Sequence, residues 1–119
     1  KETLNFMNLD ENLYINTIAD IPGSSGLGSS SSFCVGLVNC LYKYKGINAS
    51  QTKIAKNASS IEMNILNKPI GKQDHYAAAY GKLHVYTFRD DETVEVEPVV
   101  SPTYIFEKIQ KKIEHNLMY

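Results

Sequence analysis

Residues Ile21–Ser32 read IPGSSGLGSSSS. Three glycines and six serines lie here, between an apolar strand-like run, Leu13–Ile21, and an apolar helix-like run, Phe33–Tyr44. Glycine permits tight turns and lets backbone come close to a ligand. Serines at a helix start cap it and add hydroxyls beside the free N–H groups of the first turn. A strand, a Gly/Ser loop and a helix N-terminus in succession form a place to hold an anion such as phosphate. A flexible linker has a similar composition. Apolar residues abut this loop on both sides without a polar spacer, which favours the phosphate loop.

Size and charge narrow the setting. The chain has 119 residues, one domain's worth or less. Its hydrophobic content of 43% allows a core. A net charge of −1 gives no basic footprint for nucleic acid. No apolar run approaches the roughly 20 residues that span a bilayer, and no signal peptide stands at the start. Cys34 and Cys40 fall on different faces of one predicted helix, beyond disulfide reach, and read as buried, reduced core residues of a cytoplasmic protein. His75, His84 and His115 are scattered, with no metal-ligand cluster. The chain lacks an initiator Met and stops in an apolar run, Leu117–Tyr119, as a fragment of a longer protein would.

Patterning predicts mixed elements. Asn12–Ile21 reads as a strand and Ser29–Lys45 as a helix ended by Gly46. Phe33, Leu37, Leu41 and Tyr44 line one side of that helix, and Cys34, Val38 and Tyr42 widen it. Such breadth implies burial against a sheet. Ser50 caps a second helix running to about Leu66. Gly71–Tyr80 reads as a third, short helix closed by Gly81. Leu83–Phe88 and Thr93–Val99 alternate as a β-hairpin around the polar turn Arg89–Glu92. Ser101 and Pro102 open a last helix with Ile105, Phe106, Ile109, Ile113 and Leu117 as its stripe. A hairpin without a strict βαβ repeat points to an α+β, or two-layer α/β, domain.

Two carboxylates stand out. On a wheel of the second helix with Ile54 at zero, Ile65 falls at about 20°, Ala58 at about 40° and Leu66 at about 120°. Glu62 falls at about 80°, inside this apolar arc. A buried carboxylate needs a partner. That partner is a group such as a lysine, or a bound cation, unless the helix is rotated to expose Glu62. Asp74 lies in the first turn of the third helix. Taken alone it reads as a helix-dipole acid, the commoner role, ahead of a general base.

The usual nucleotide loops do not fit. No lysine follows these glycines as a P-loop requires, and Ser31 replaces the third glycine of the dinucleotide fingerprint. Pro22, Gly26, Leu27, Gly28, Ser29 and Ser30 instead spell P-x-x-x-G-L-G-S-S. That pattern resembles the ATP-binding loop of the GHMP kinases, the superfamily of galactokinase, homoserine kinase, mevalonate kinase and phosphomevalonate kinase. Ala58–Gly81, ASSIEMNILNKPIGKQDHYAAAYG, is similar to the block of one subgroup, the D-glycero-D-manno-heptose 7-phosphate kinases and close sugar kinases. Glu62, Gly71, Lys72, Gln73, Asp74, Tyr76, Ala77–Ala79, Tyr80 and Gly81 match. His75, Lys82 and His84 depart from the subgroup's usual Gln, Gly and Asn.

The resemblance implies an incomplete ribosomal protein S5 domain 2-like fold. Residues 1–119 would be part of the N-terminal, ATP-binding domain, with the C-terminal GHMP domain absent. Pro22, Gly23, Ser24, Ser25, Gly26, Leu27, Gly28, Ser29 and Ser30 would wrap the ATP phosphates. Ser29 or Ser30 would hold Mg²⁺ with Glu62, and Asp74 would be the base. Lys72, Gln73 and Tyr76 would face the substrate. The implied reaction moves the ATP γ-phosphate to the anomeric hydroxyl of a small-molecule sugar phosphate, heptose 7-phosphate, in the cytoplasm. Another sugar kinase of the superfamily, close to galactokinase or fucokinase, is the alternative, as is an inert remnant that only keeps the fold. Surface that packs on absent parts would be exposed and would favour homo-oligomers.

Overall fold

A computed structural model describes residues 1–23, 25–99 and 103–116. Ser24, Ser101, Pro102 and Leu117 lie outside the described residues, as do the side chains of Ile105 and Phe106. The chain forms two compact units, Lys1–Gly81 and Lys82–Tyr119.

The first unit is helical. Its elements are α1 (Glu2–Phe6), α2 (Ser29–Tyr44), α3 (Gln51–Ser60), a π-helical turn (Ile61–Ile65) and α4 (Gln73–Tyr80). The punctuation expected from sequence is present. Ser50 caps α3, its hydroxyl accepting from the Lys53 N–H at 3.2 Å. Gly46 and Gly81 take left-handed backbone after α2 and α4. α2 packs on α3 and α4, and α3 packs on α4. The core is Met7, Cys34, Val35, Val38, Leu41, Tyr42, Ile54, Ala58 and Ile61, with Leu4, Phe6 and Leu9 laid against it. Burying such side chains is worth about 1.5–3 kcal/mol each.

Several expectations are corrected. Asn12–Ile21 forms no strand: among the described residues nothing pairs with it, and Tyr14 and Ile18 are more than nine-tenths exposed. Alternation cannot make a strand without a neighbour to complete its hydrogen bonds. The buried face of α2 is Ser31, Cys34, Val35, Val38, Leu41 and Tyr42, and it meets helices rather than a sheet. Phe33 and Tyr44 lie outside that face and are half-exposed. Cys40 is exposed, whereas burial pushes the Cys34 thiol up to about 11, with the Glu62 charge adding to the rise.

The π-helical turn corrects the wheel. The Leu66 N–H donates to the Ile61 carbonyl five residues back, at 2.9 Å. The wider turn shifts every later side chain in phase. Ile65 and Leu66, placed on the core side by an ideal helix, are exposed by 39% and 44%. Glu62 stands at the start of the turn, before the shift accumulates, and is buried as the wheel predicts.

The second unit holds an antiparallel hairpin, β1 (His84–Phe88) with β2 (Val94–Pro98), and α5 (Thr103–Asn116). His84 pairs with Pro98, Tyr86 with Val96 and Phe88 with Val94, so rings and aliphatic side chains share one face. Asp91 holds the turn by accepting from the Thr93 N–H and hydroxyl. In α5, Ile109 and Ile113 are half-exposed rather than a buried stripe. Helices with a two-stranded antiparallel sheet make the chain α+β.

Candidate functional site

Three separate segments of the first unit converge at the start of α2. The loop before it turns on two glycines in left-handed conformation, Gly26 (φ 74°) and Gly28 (φ 68°). Gly28 is the N-cap residue of α2, so the free N–H groups and positive dipole end of the helix start here. A Cβ built on Gly28 would lie 3.2 Å from Asp74 Oδ2. The glycine is therefore required twice, by its φ and by the close approach of the Asp74 carboxylate. Gly28→Ala is expected to destabilise the fold by about 1–2 kcal/mol, measured by thermal or denaturant unfolding.

In the first turn of the helix, Ser30 reaches Glu62. Its Oγ donates to Glu62 Oε1 at 2.6 Å. Lys68 Nζ donates to the same Oε1 at 2.6 Å and to Ser30 Oγ at 2.9 Å. On the other side, His75 Nε2 donates to Glu62 Oε2 at 2.7 Å. Glu62 is 2% exposed and His75 is fully buried. His75 Nδ1 has no hydrogen-bond partner among the described residues.

Burial pushes the Glu62 carboxyl up, but the hydrogen bonds from Lys68, Ser30 and His75, with the Lys68 charge, outweigh it and hold the group at about 2. Glu62 is thus an ionised, buried carboxylate. A carboxyl lowered on folding stabilises fully above its ordinary value of 4.5 and loses that contribution as pH falls toward 2. Acid titration of unfolding free energy is expected to show a loss of a few kcal/mol across this window. Glu62→Gln should flatten it.

The other predicted site residues divide. Ser25, Pro22, Gly23 and Leu27 lie on the exposed loop, and Ser29 is half-buried at the first residue of α2. Lys72 is the N-cap residue of α4, and Gln73 begins that helix on the surface. Tyr76 is 4% exposed and its ring stacks on Tyr80 at 6.4 Å, a core contact. Two residues outside the predicted set, Lys68 and His75, complete the shell of Glu62. His75 carries no clear signal, because the run Ala77–Ala79 leaves the buried face of this short helix unmarked in the sequence. Lys68 carries none, because its approach depends on the π-helical turn and the loop after it.

Hydroxyl and carboxylate oxygens suit a hard cation such as Mg²⁺. A positive charge already sits between these two atoms, in the form of the Lys68 ammonium. Among the described residues no group of three or more His, Cys, Asp or Glu side chains could cage a metal alone. A donor set this small fits an ion that keeps waters and completes its shell with substrate phosphates.

The family model for the GHMP kinases N terminal domain matches residues 1–82, the segment that carries every one of these groups. The chain belongs to the GHMP kinase family.

Its relatives are kinases of several small molecules. The chain is 31% identical over 98 residues to D-glycero-alpha-D-manno-heptose 7-phosphate kinase of Campylobacter jejuni, covering 82% of this chain and 29% of the relative. It is 32% identical over 83 residues to galactokinase of Pyrococcus furiosus, covering 70% and 24%. It is 33% identical over 82 residues to mevalonate kinase of Saccharolobus solfataricus, covering 69% and 26%. This GHMP kinase chain thus spans less than a third of the length of these curated relatives. No solved structure matches it. No helix among the described residues is long and apolar enough to cross a membrane.

Proposed function

We propose that this chain is the nucleotide- and metal-binding part of an ATP-dependent sugar kinase, with D-glycero-D-manno-heptose 7-phosphate as the acceptor. The supporting observation is the convergence on one helix start of a glycine loop, a Ser30–Glu62 pair and the Asp74 carboxylate. Phosphoryl transfer asks for charge neutralisation and positioning, with little covalent chemistry from the protein. The loop Pro22–Ser30 and the first turn of α2 offer backbone N–H groups to the ATP phosphates. Ser30, or Ser29 beside it, and Glu62 would hold Mg²⁺, which would neutralise and orient the phosphate oxygens. Asp74, on the exposed start of α4 beside the loop, takes the proton of the anomeric hydroxyl as the hydroxyl attacks. Lys72 and Gln73, the two residues before it, would contact the sugar phosphate.

In this reading residues 1–119 form part of an N-terminal domain of the ribosomal protein S5 domain 2-like type, and a further GHMP domain completes the nucleotide site. The kinase works in the cytoplasm, where ATP and sugar phosphates are found. The heptose is favoured by the block Glu62–Gly81 and by the relative that covers 82% of the chain. Galactose is the second acceptor, supported by a galactokinase of similar identity.

Mg·ATP-dependent phosphorylation by the protein that carries this domain tests the proposal, with heptose 7-phosphate, galactose and mevalonate offered in parallel. Transfer to the heptose is expected. Transfer to galactose alone would replace the substrate and keep the chemistry. No transfer to any sugar would overturn the reading.

A further inference from the structure

We infer that Lys68 is a tethered cation occupying the metal position between Ser30 and Glu62, so that a divalent ion enters the site by displacing it. This rests on the metal site proposed above. Three observations carry it. Lys68 Nζ bonds both oxygens assigned to the metal, Glu62 Oε1 at 2.6 Å and Ser30 Oγ at 2.9 Å. Both oxygens thus already accept from the ammonium, and Glu62 Oε1 accepts from the Ser30 hydroxyl as well. The tether is fixed, because the Lys68 backbone N–H donates to the Glu62 carbonyl at 2.9 Å. The ammonium arm, by contrast, is 41% exposed and has water to move into, while Glu62 is buried and cannot follow.

The arrangement answers a physical problem. An ionised carboxylate at 2% exposure needs positive charge nearby, whether or not a metal is bound. Lys68 supplies that charge in the metal-free protein and keeps Ser30 and Glu62 together. His75 holds the opposite oxygen throughout. The lysine is therefore a positioning residue that preserves the site and lowers its affinity for free metal.

Mn²⁺ binding to the 119-residue chain, followed by the electron paramagnetic resonance signal of the free ion without nucleotide, tests this. Lys68→Met should bind Mn²⁺ roughly fivefold more tightly than the wild type, the factor a part-exposed ion pair is worth. Glu62→Gln should lose the binding. Weaker or unchanged binding by Lys68→Met, with binding still lost in Glu62→Gln, would overturn the role of Lys68 and leave the metal site standing. Binding that persists in Glu62→Gln would overturn the metal site itself, whereas no binding by either the wild type or Lys68→Met would remove the predicted gain and overturn the role of Lys68. The wild type supplies a check free of mutation. Acetylation of Lys68, mapped by peptide mass, should rise when Mg²⁺ replaces Na⁺ at equal ionic strength. Unchanged labelling would count against displacement.

Discussion

Asp74→Asn, in the protein that carries this domain, is expected to lower kcat by about 10²–10⁴-fold while leaving Mg·ATP affinity within a few-fold. The substitution keeps size and removes the proton acceptor. It sits at the exposed start of α4, with the Asp74 carboxylate turned toward Gly28, so the core beneath it is undisturbed. A base acting on the sugar hydroxyl contributes in the transition state and not in nucleotide binding, which separates kcat from the binding of Mg·ATP. A helix-dipole acid would behave differently. Its loss would cost a fraction of a kcal/mol in stability and leave turnover unchanged. Steady-state kinetics beside a direct binding titration decides between the two.

Glu62→Ala is expected to cost about 3–5 kcal/mol of stability, because it strips the partner from a fully buried His75 and from Lys68 together. Few single changes in a chain this size would be as damaging. Glu62→Gln separates stability from chemistry. The amide keeps the volume and can still accept from Ser30 and Lys68 while facing His75, so most of the fold survives. The negative charge that would hold Mg²⁺ is gone, and the Mg²⁺ concentration needed for half-maximal transfer should rise at least tenfold. Denaturant unfolding of the alanine variant and Mg²⁺ titration of the glutamine variant check the pair.

Sequence carried the framework of this site but not its wiring. The helix starting at Ser29, the Ser50 cap, the left-handed stops at Gly46 and Gly81 and the hairpin at 84–98 all follow local rules that a pattern exposes. The burial of Glu62 also followed, from 100° spacing alone. Strand pairing does not follow from alternation, and Asn12–Ile21 shows it, since a strand is a relation between two segments. Nor does a π-helical turn, whose extra residue moved Ile65 and Leu66 outward and set the course of the chain toward Lys68. The short helix α1 had too few residues to make a period. Asp74 and His75, neighbours in α4, point about 100° apart. The same angle lets them serve different partners: Asp74 faces the glycine loop while His75 braces Glu62 from behind.

The most direct test of the account is a heteronuclear NMR titration, in the protein that carries this domain, with Mg²⁺ and a non-hydrolysable ATP analogue. The prediction is that the largest amide shifts fall on Gly26, Gly28, Ser29 and Ser30, with Glu62 and Lys68 following only when Mg²⁺ is present. Shifts that bypass the glycine loop, or that leave Glu62 and Lys68 unmoved with metal and nucleotide both bound, would contradict it.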